Sequence, residues 1–114
     1  MSPDDRVRLR HMADAIEASS KFIEGRSRRD LDADRMAVFA LVRAVEIIGE
    51  AAPKLSSDGR AELPAVHWSG IVGMRNRLIH AYFDVDLDIL WNTVTQALPP
   101  LGEQIQAALG RSWS

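Results

Sequence analysis

The sequence contains no cysteine, only two lysines, and 6% aromatic residues. Without cysteine there is no disulfide framework, no zinc–thiolate site and no thiolate nucleophile. Acidic side chains outnumber basic ones, 16 to 14, for a formal net charge of −2. That balance excludes a basic surface covering the whole molecule and binding any polyanion, while a small basic site stays compatible with it. The longest apolar run, Met36 to Val42, is seven residues and ends at Arg43, far short of the roughly 20 that span a bilayer. The first residues, Met1-Ser2-Pro3-Asp4-Asp5-Arg6, contain no apolar core of a secretory leader. These absences lead us to expect a cytoplasmic protein with no membrane association.

What is present is an ordinary globular composition, 46% apolar and 26% charged over 114 residues, which fits one domain spanning 1–114. Ser2 suits an N-cap, Pro3 the first helical position, and Asp4 and Asp5 the first turn. Met12, Ala15, Ile16, Ser19, Phe22 and Ile23 then recur at helical spacing, so a first helix is expected over about 3–24, with Gly25 as its stop. A second is expected from Leu31 to Ala52. Val38, Leu41, Val42, Val45 and Ile48 form its apolar stripe, and Ala37, Phe39, Ala44 and Ile47 widen it enough to imply burial on more than one side. Pro53 and Ser56-Ser57-Asp58-Gly59 make residues 56–66 irregular.

A third helix is expected from Trp68 to about His80. Gly70 and Gly73 within it cost about 1 kcal/mol each relative to alanine, which points to a close backbone approach. Asp84 or Asp86 caps a fourth, with Leu87, Leu90, Trp91, Val94 and Leu98 on one face. Pro99-Pro100 kinks or restarts the chain before Leu101 to Leu109, and the tail 111–114 is expected to fray. Four to five helices without a strand give an all-α, antiparallel four- to five-helix bundle.

Signatures of common chemistries are missing. There is no H-E-x-x-H or other metal-ligand spacing, no glycine-rich phosphate loop and no G-x-S-x-G elbow. What stands out is Met74-Arg75-Asn76-Arg77-Leu78-Ile79-His80-Ala81-Tyr82-Phe83-Asp84. On a helix Asn76 and His80 are i, i+4 neighbours and Arg77 and His80 are i, i+3 neighbours. Arg75 and His80 lie about 140° apart around the axis, so they share a face only loosely. They converge if the long arginine reaches round, if the helix ends at His80, or if a second chain supplies one partner. Guanidinium forks suit phosphate oxygens and imidazole exchanges protons near neutral pH. Together they suffice for RNA cleavage without a metal, the ribose 2′-hydroxyl attacking the adjacent phosphorus. The bare spacing is weak, because Arg6 and His11 repeat it on the first helix without the flanking Asn and Tyr. The same residues also fit a salt-linked helix end and a structural histidine. Glu46 and Glu50, like charges one turn apart, are expected to pair with Arg75 or Arg77 from the third helix.

The run Arg75-Asn76-Arg77-Leu78-Ile79-His80-Ala81-Tyr82 resembles the R-x-x-x-x-H-x-Y signature of HepT-like proteins, a branch of the HEPN superfamily. Other blocks do so in the same order: Phe22 to Arg26, Arg43 to Ala51, Trp68 to Met74, and Tyr82 through Trp91. The resemblance implies a HEPN-like helical bundle that forms a homodimer, with two Arg–His motifs meeting in a cleft at the interface. It implies a metal-independent ribonuclease, needing no cofactor, acting as the toxin of a type VII toxin–antitoxin pair. Its antitoxin is a minimal nucleotidyltransferase (MNT) that adds AMP to the motif tyrosine. Carried over, Arg75 and His80 are catalytic, Asn76, Arg77, Glu46 and Glu50 support them, and Tyr82 is the AMPylation site. Ala81 departs from the glycine most usual there, which bears on how accessible Tyr82 is. The alternative is a non-catalytic module that binds nucleotide or RNA in the same cleft, or that regulates the nucleotidyltransferase.

Overall fold

Helix α1 (Pro3–Phe22) begins where Ser2 caps it. The Ser2 hydroxyl accepts from the Asp5 N–H at 3.0 Å and the Asp5 carboxylate accepts from the Ser2 N–H at 3.4 Å, so two of the free donors at a helix start are satisfied. Gly25, at φ +73°, then turns the chain away in a conformation that favours glycine. The computed structural model describes residues 1–81 and 84–113, with side chains for 1–78 and 84–110.

The second expected helix is two. Asp34 adopts an extended conformation (φ −121°, ψ 92°) and its side chain accepts from the Ala37 N–H. A local cap thereby separates α2 (Asp30–Ala33) from α3 (Arg35–Ala51). Arg26 is paired with Asp34 at 2.6 Å, and Arg28 bridges Asp32 and Asp88. Two of the three arginines of the loop 25–30, Arg26 and Arg28, are therefore tied to neighbouring carboxylates.

Helix α3 is the hub, packed against α1 on one side and the later helices on the other. Val38, Leu41, Val42, Val45 and Ile48 are buried, as their spacing requires. Of the residues that widen the stripe, Ala37 and Ala44 are buried and Ile47 is partly buried, so it is covered except at Phe39. Met36 is 82% exposed and Phe39 54%, with the Arg35 guanidinium 5.5 Å from the Phe39 ring centre.

Beyond the 3₁₀ turn Ala52–Lys54, residues 56–66 are not wholly irregular. A short helix, α4 (Ser57–Ala61), is capped by Ser56, whose hydroxyl accepts from the Gly59 N–H. The determinant is distant in sequence: the buried Asp5 carboxylate accepts from the Ser56 N–H at 2.9 Å and the Ser56 hydroxyl at 2.5 Å. A Cβ on Gly59 would lie 2.7 Å from Asp5 Oδ2, so only glycine fits beneath that carboxylate.

Helix α5 (Trp68–Leu78) ends two residues before His80. Ile79–Ala81 forms β1 and pairs antiparallel with β2 (Asp84–Val85), so the chain contains a small ribbon where its pattern predicts no strand. The Leu78 carbonyl, which would otherwise continue the helix, accepts from the Asp86 N–H at 2.8 Å. Asp86 then caps α6 (Leu87–Asn92) through its side chain, while Asp84 belongs to β2.

Pro99-Pro100 stand where the chain restarts, in the first turn of a new α-helical segment. A π-helical turn, Thr93–Ala97, widens the coil immediately before α7 (Leu98–Trp113), whose first turn tolerates residues without an N–H. The helix extends past Gly110 to Trp113, and Ser114 lies outside the described residues.

Four long helical segments thus surround one core of fully buried residues that includes Leu9, Met12, Leu41, Ile48, Leu78, Leu90 and Ile105. The all-α class holds, with a two-stranded ribbon added. The close helix approach occurs at Gly102, where a Cβ would sit 3.0 Å from Ile16 Cγ2. At Gly70 and Gly73 the neighbours are instead the chain's own His67 ring and Arg77 guanidinium.

Candidate active site

The C-terminal turn of α5 carries the cluster. Met74 and Leu78 are buried and anchor one face of the helix, which turns Arg75, Asn76 and Arg77 outward. Cationic side chains in a last turn also meet the negative end of the helix dipole. His80 follows on β1, and the strand register shifts between Ile79 and Ala81, across His80. Such irregularities re-aim side chains and recur beside active sites. The helical i, i+3 and i, i+4 relations expected for His80 with Arg77 and Asn76 are therefore replaced by a helix-to-ribbon junction. The physical reason is the Asp86 N–H, which takes the Leu78 carbonyl out of the helix. The His80 side chain and all of Tyr82 lie outside the described residues.

Arg75 is met from below by α3. Its Nε lies 3.5 Å from Glu46 Oε2, with the arginine half exposed and the carboxylate about three-quarters covered. Gly49, one turn along α3, faces the Arg75 Cβ, so the two helices run close beneath the guanidinium. One of the two expected carboxylates is thus in place.

Glu50 is directed elsewhere, pairing with Arg43 at 3.5 Å on α3 itself. Arg77 folds back along α5 and donates from Nη2 to the Gly70 carbonyl at 3.1 Å. The missing side chain of Gly73 leaves room for it, since a Cβ there would lie 3.5 Å from Arg77 Nη1. Sequence reasoning misses Arg43 as Glu50's partner, although their two-turn separation on one helix face is the available signal.

The arrangement offers guanidinium donors, an amide and a histidine-bearing strand at one end of the bundle, a set suited to a phosphate group. Among the described residues no group of three His, Asp or Glu side chains is placed to share a metal ion, and no helix is long and apolar enough to cross a membrane.

Comparison with known proteins bears on this cluster. A family model described as "Ribonuclease HepT-like" matches residues 12–108. A protein of Thermococcus cleftensis named "Probable ribonuclease HepT" is 40% identical over 93 residues, covering 82% of this chain and 84% of its own. A provisionally named RNase of Caldanaerobacter subterraneus is 36% identical over 104 residues, 91% of this chain and 93% of its own. Another from Methanocaldococcus jannaschii is 36% identical over 98 residues, 82% and 88% of the two chains. No solved structure is significantly similar.

Proposed function

The chain belongs to the ribonuclease HepT-like family, and from that premise we propose that it is a metal-independent endoribonuclease toxin of the cytoplasm, neutralised by an MNT-type antitoxin. The observation that carries this reading is the placement of Arg75, Asn76 and His80 at one helix-to-ribbon junction, with Glu46 against Arg75.

In this reading the substrate is RNA and the attacking group is its own 2′-hydroxyl. His80 takes the hydroxyl proton or returns one to the leaving 5′-oxygen, and Arg75 stabilises the crowded, doubly charged phosphate of the transition state. Glu46 holds Arg75 through Nε, which leaves the terminal amino groups to face a phosphate. Asn76, beside Arg75 on the exposed face, adds a neutral donor. Arg77 adds positive potential at the same helix end.

Two copies of the chain complete the cleft. Met36 and Phe39 on α3 and Val72 on α5 are exposed apolar side chains on the two helices that carry Glu46 and Arg75. Their burial against a second copy would bring two Arg75–His80 sets together and double the local positive charge, offsetting the net acidity of each chain. Purified protein is expected to cut RNA in EDTA and leave 2′,3′-cyclic phosphate ends. Intact RNA after prolonged incubation with the dimer defeats the reading.

Two further outcomes follow from it. Glu46→Gln is expected to change stability by less than about 1 kcal/mol, because the pair is partly exposed, yet to lower kcat roughly tenfold by releasing Arg75 from its productive orientation. Partial recovery in Glu46→Asp separates positioning from fold damage. Co-expression with the nucleotidyltransferase is expected to raise the intact mass by one or more AMP units on Tyr82. An unchanged mass shift in Tyr82→Phe would place the modification elsewhere.

A further inference from the structure

On the side of α3 away from Arg75, a groove of about 650 Å³ runs between α1 and α3. Its floor is small and apolar, with Ala15 and Ala18 of α1 facing Ile47 and Ala51 of α3. Its basic side chains are Arg8 and His11 on α1, Arg43 on α3, and Lys54 at the end of the 3₁₀ turn. Two acids, Asp14 and Glu50, also line it, and Glu50 is occupied by Arg43.

Lys54 and His11 make no hydrogen bond or ion pair among the described residues. Arg8 donates from Nη1 to the Asp4 carbonyl at 3.3 Å, but its Nε is buried without a partner, a state that buried donors rarely keep. In a protein of net charge −2, Arg43 is taken by Glu50, which leaves Arg8 and Lys54, with Asp14 the remaining acid, beside an apolar floor. The chemistry the groove complements is a phosphate joined to a flat, partly apolar group.

The groove lies round α3 from the proposed active site, about 100° about the helix axis. Glu46, which touches Arg75, and Ile47, which lines the groove, are consecutive residues on α3. A helix with its side chains is about 10–12 Å across, so a strand whose phosphate lies at Arg75 needs only to cross α3 to reach Arg43 and Lys54.

Building on the ribonuclease reading above, we infer that the α1–α3 groove is an RNA exosite. It holds the strand flanking the cleavage position, with phosphates on Arg8 and Lys54 and a base over Ala15, Ala18 and Ile47. The low net charge is then matched by a track for a single strand rather than a general polyanion surface.

The test uses the full chain carrying His80→Ala, so that RNA is bound and not cut, and a labelled single-stranded RNA of about 12 nucleotides as probe. Lys54→Glu and, separately, Arg8→Gln are expected to raise Kd about tenfold. The slope of log Kd against log salt is expected to shrink by about 0.7 for each phosphate that the variant no longer neutralises. Arg29→Glu, at the start of α2, should leave both values unchanged. With His80 intact, cleavage of a dinucleotide, too short to reach the groove, should proceed at the parent rate.

Unaltered affinity in both groove variants overturns the exosite, as does an equal loss in Arg29→Glu or on the dinucleotide. AMP alone competing fully with the RNA would make the groove a mononucleotide site. Loss of nucleotidyltransferase binding with RNA affinity retained would make it a protein-docking site. Either result also overturns the proposal. If the parent cuts no RNA while the groove variants bind the probe more weakly, the groove stands as an RNA-binding site and the ribonuclease reading falls. If it cuts RNA while they bind as tightly as the parent, the reverse holds.

Discussion

The His80→Ala variant is expected to cut RNA about 10²–10⁴ times more slowly than the parent chain, the range set by loss of a general acid or base. Arg75→Ala is expected to cost about 10²–10³, the range for removing a donor that stabilises developing charge. Neither change should unfold the protein. Arg75 is half exposed and its ion pair with Glu46 is long, so its removal costs at most about 1 kcal/mol. The two losses should also fall short of additivity in the double variant, because both groups act on one phosphate. Single-turnover cleavage of a defined RNA at saturating protein isolates the chemical step. Rates in both variants within a factor of two of the parent would remove Arg75 and His80 from the mechanism.

The second large effect is on stability and lies far from that cluster. The Asp5 carboxylate is only 2% exposed and joins the start of α1 to the start of α4 through Ser2 and Ser56. Asp5→Ala removes the acceptor and leaves the Ser56 donors buried, so a loss of about 1–3 kcal/mol is expected. In a chain of this size that is a fall in Tm of roughly 5–15 °C. Gly59→Ala should be comparably harmful, since its Cβ would displace the same carboxylate.

The same carboxylate gives a pH signature. Burial is the largest single influence on Asp5 and pushes its pKa up, but hydrogen bonds from the Ser56 hydroxyl, the Ser56 N–H and Ser2 together outweigh it. The folded-state pKa therefore lies below the ordinary 3.8. Asp5 stabilises the fold above about pH 4, and that contribution is lost as pH falls through the lowered value. Urea melts from pH 6 to pH 2.5 should show a steeper acid loss in the parent than in Asp5→Asn. Parallel curves would show that Asp5 titrates alike in both states.

The places where local pattern and structure part company share a cause. Asp34 reads as an ordinary polar position inside a helical stretch, yet its capping hydrogen bond to Ala37 splits α2 from α3. The stretch from Ser56 looks like loop because its organiser, Asp5, stands 51 residues earlier. The Arg75–His80 spacing suggests one helix, but the bond from Asp86 to the Leu78 carbonyl ends it early. Each reversal depends on a backbone group meeting a partner that helical periodicity does not register. At the site, Glu46 could be expected to meet an α5 arginine, whereas the choice of Arg75 over Arg77 required the helix packing.

The sequence by itself determined the helical class, the buried stripe of α3, the cap at Ser2, two candidates for the cap of α6, and the family through the run from Arg75 to Tyr82. These are local or periodic properties, written in neighbouring residues and in 3.6-residue spacing. Only the tertiary structure decided that His80 leaves the helix for a ribbon, that Arg75 rather than Arg77 sits on Glu46, and that α1 and α3 enclose a cationic groove. Those outcomes depend on which buried carboxylate, carbonyl or glycine lies opposite, and residues distant in sequence become opposite only once the core has packed.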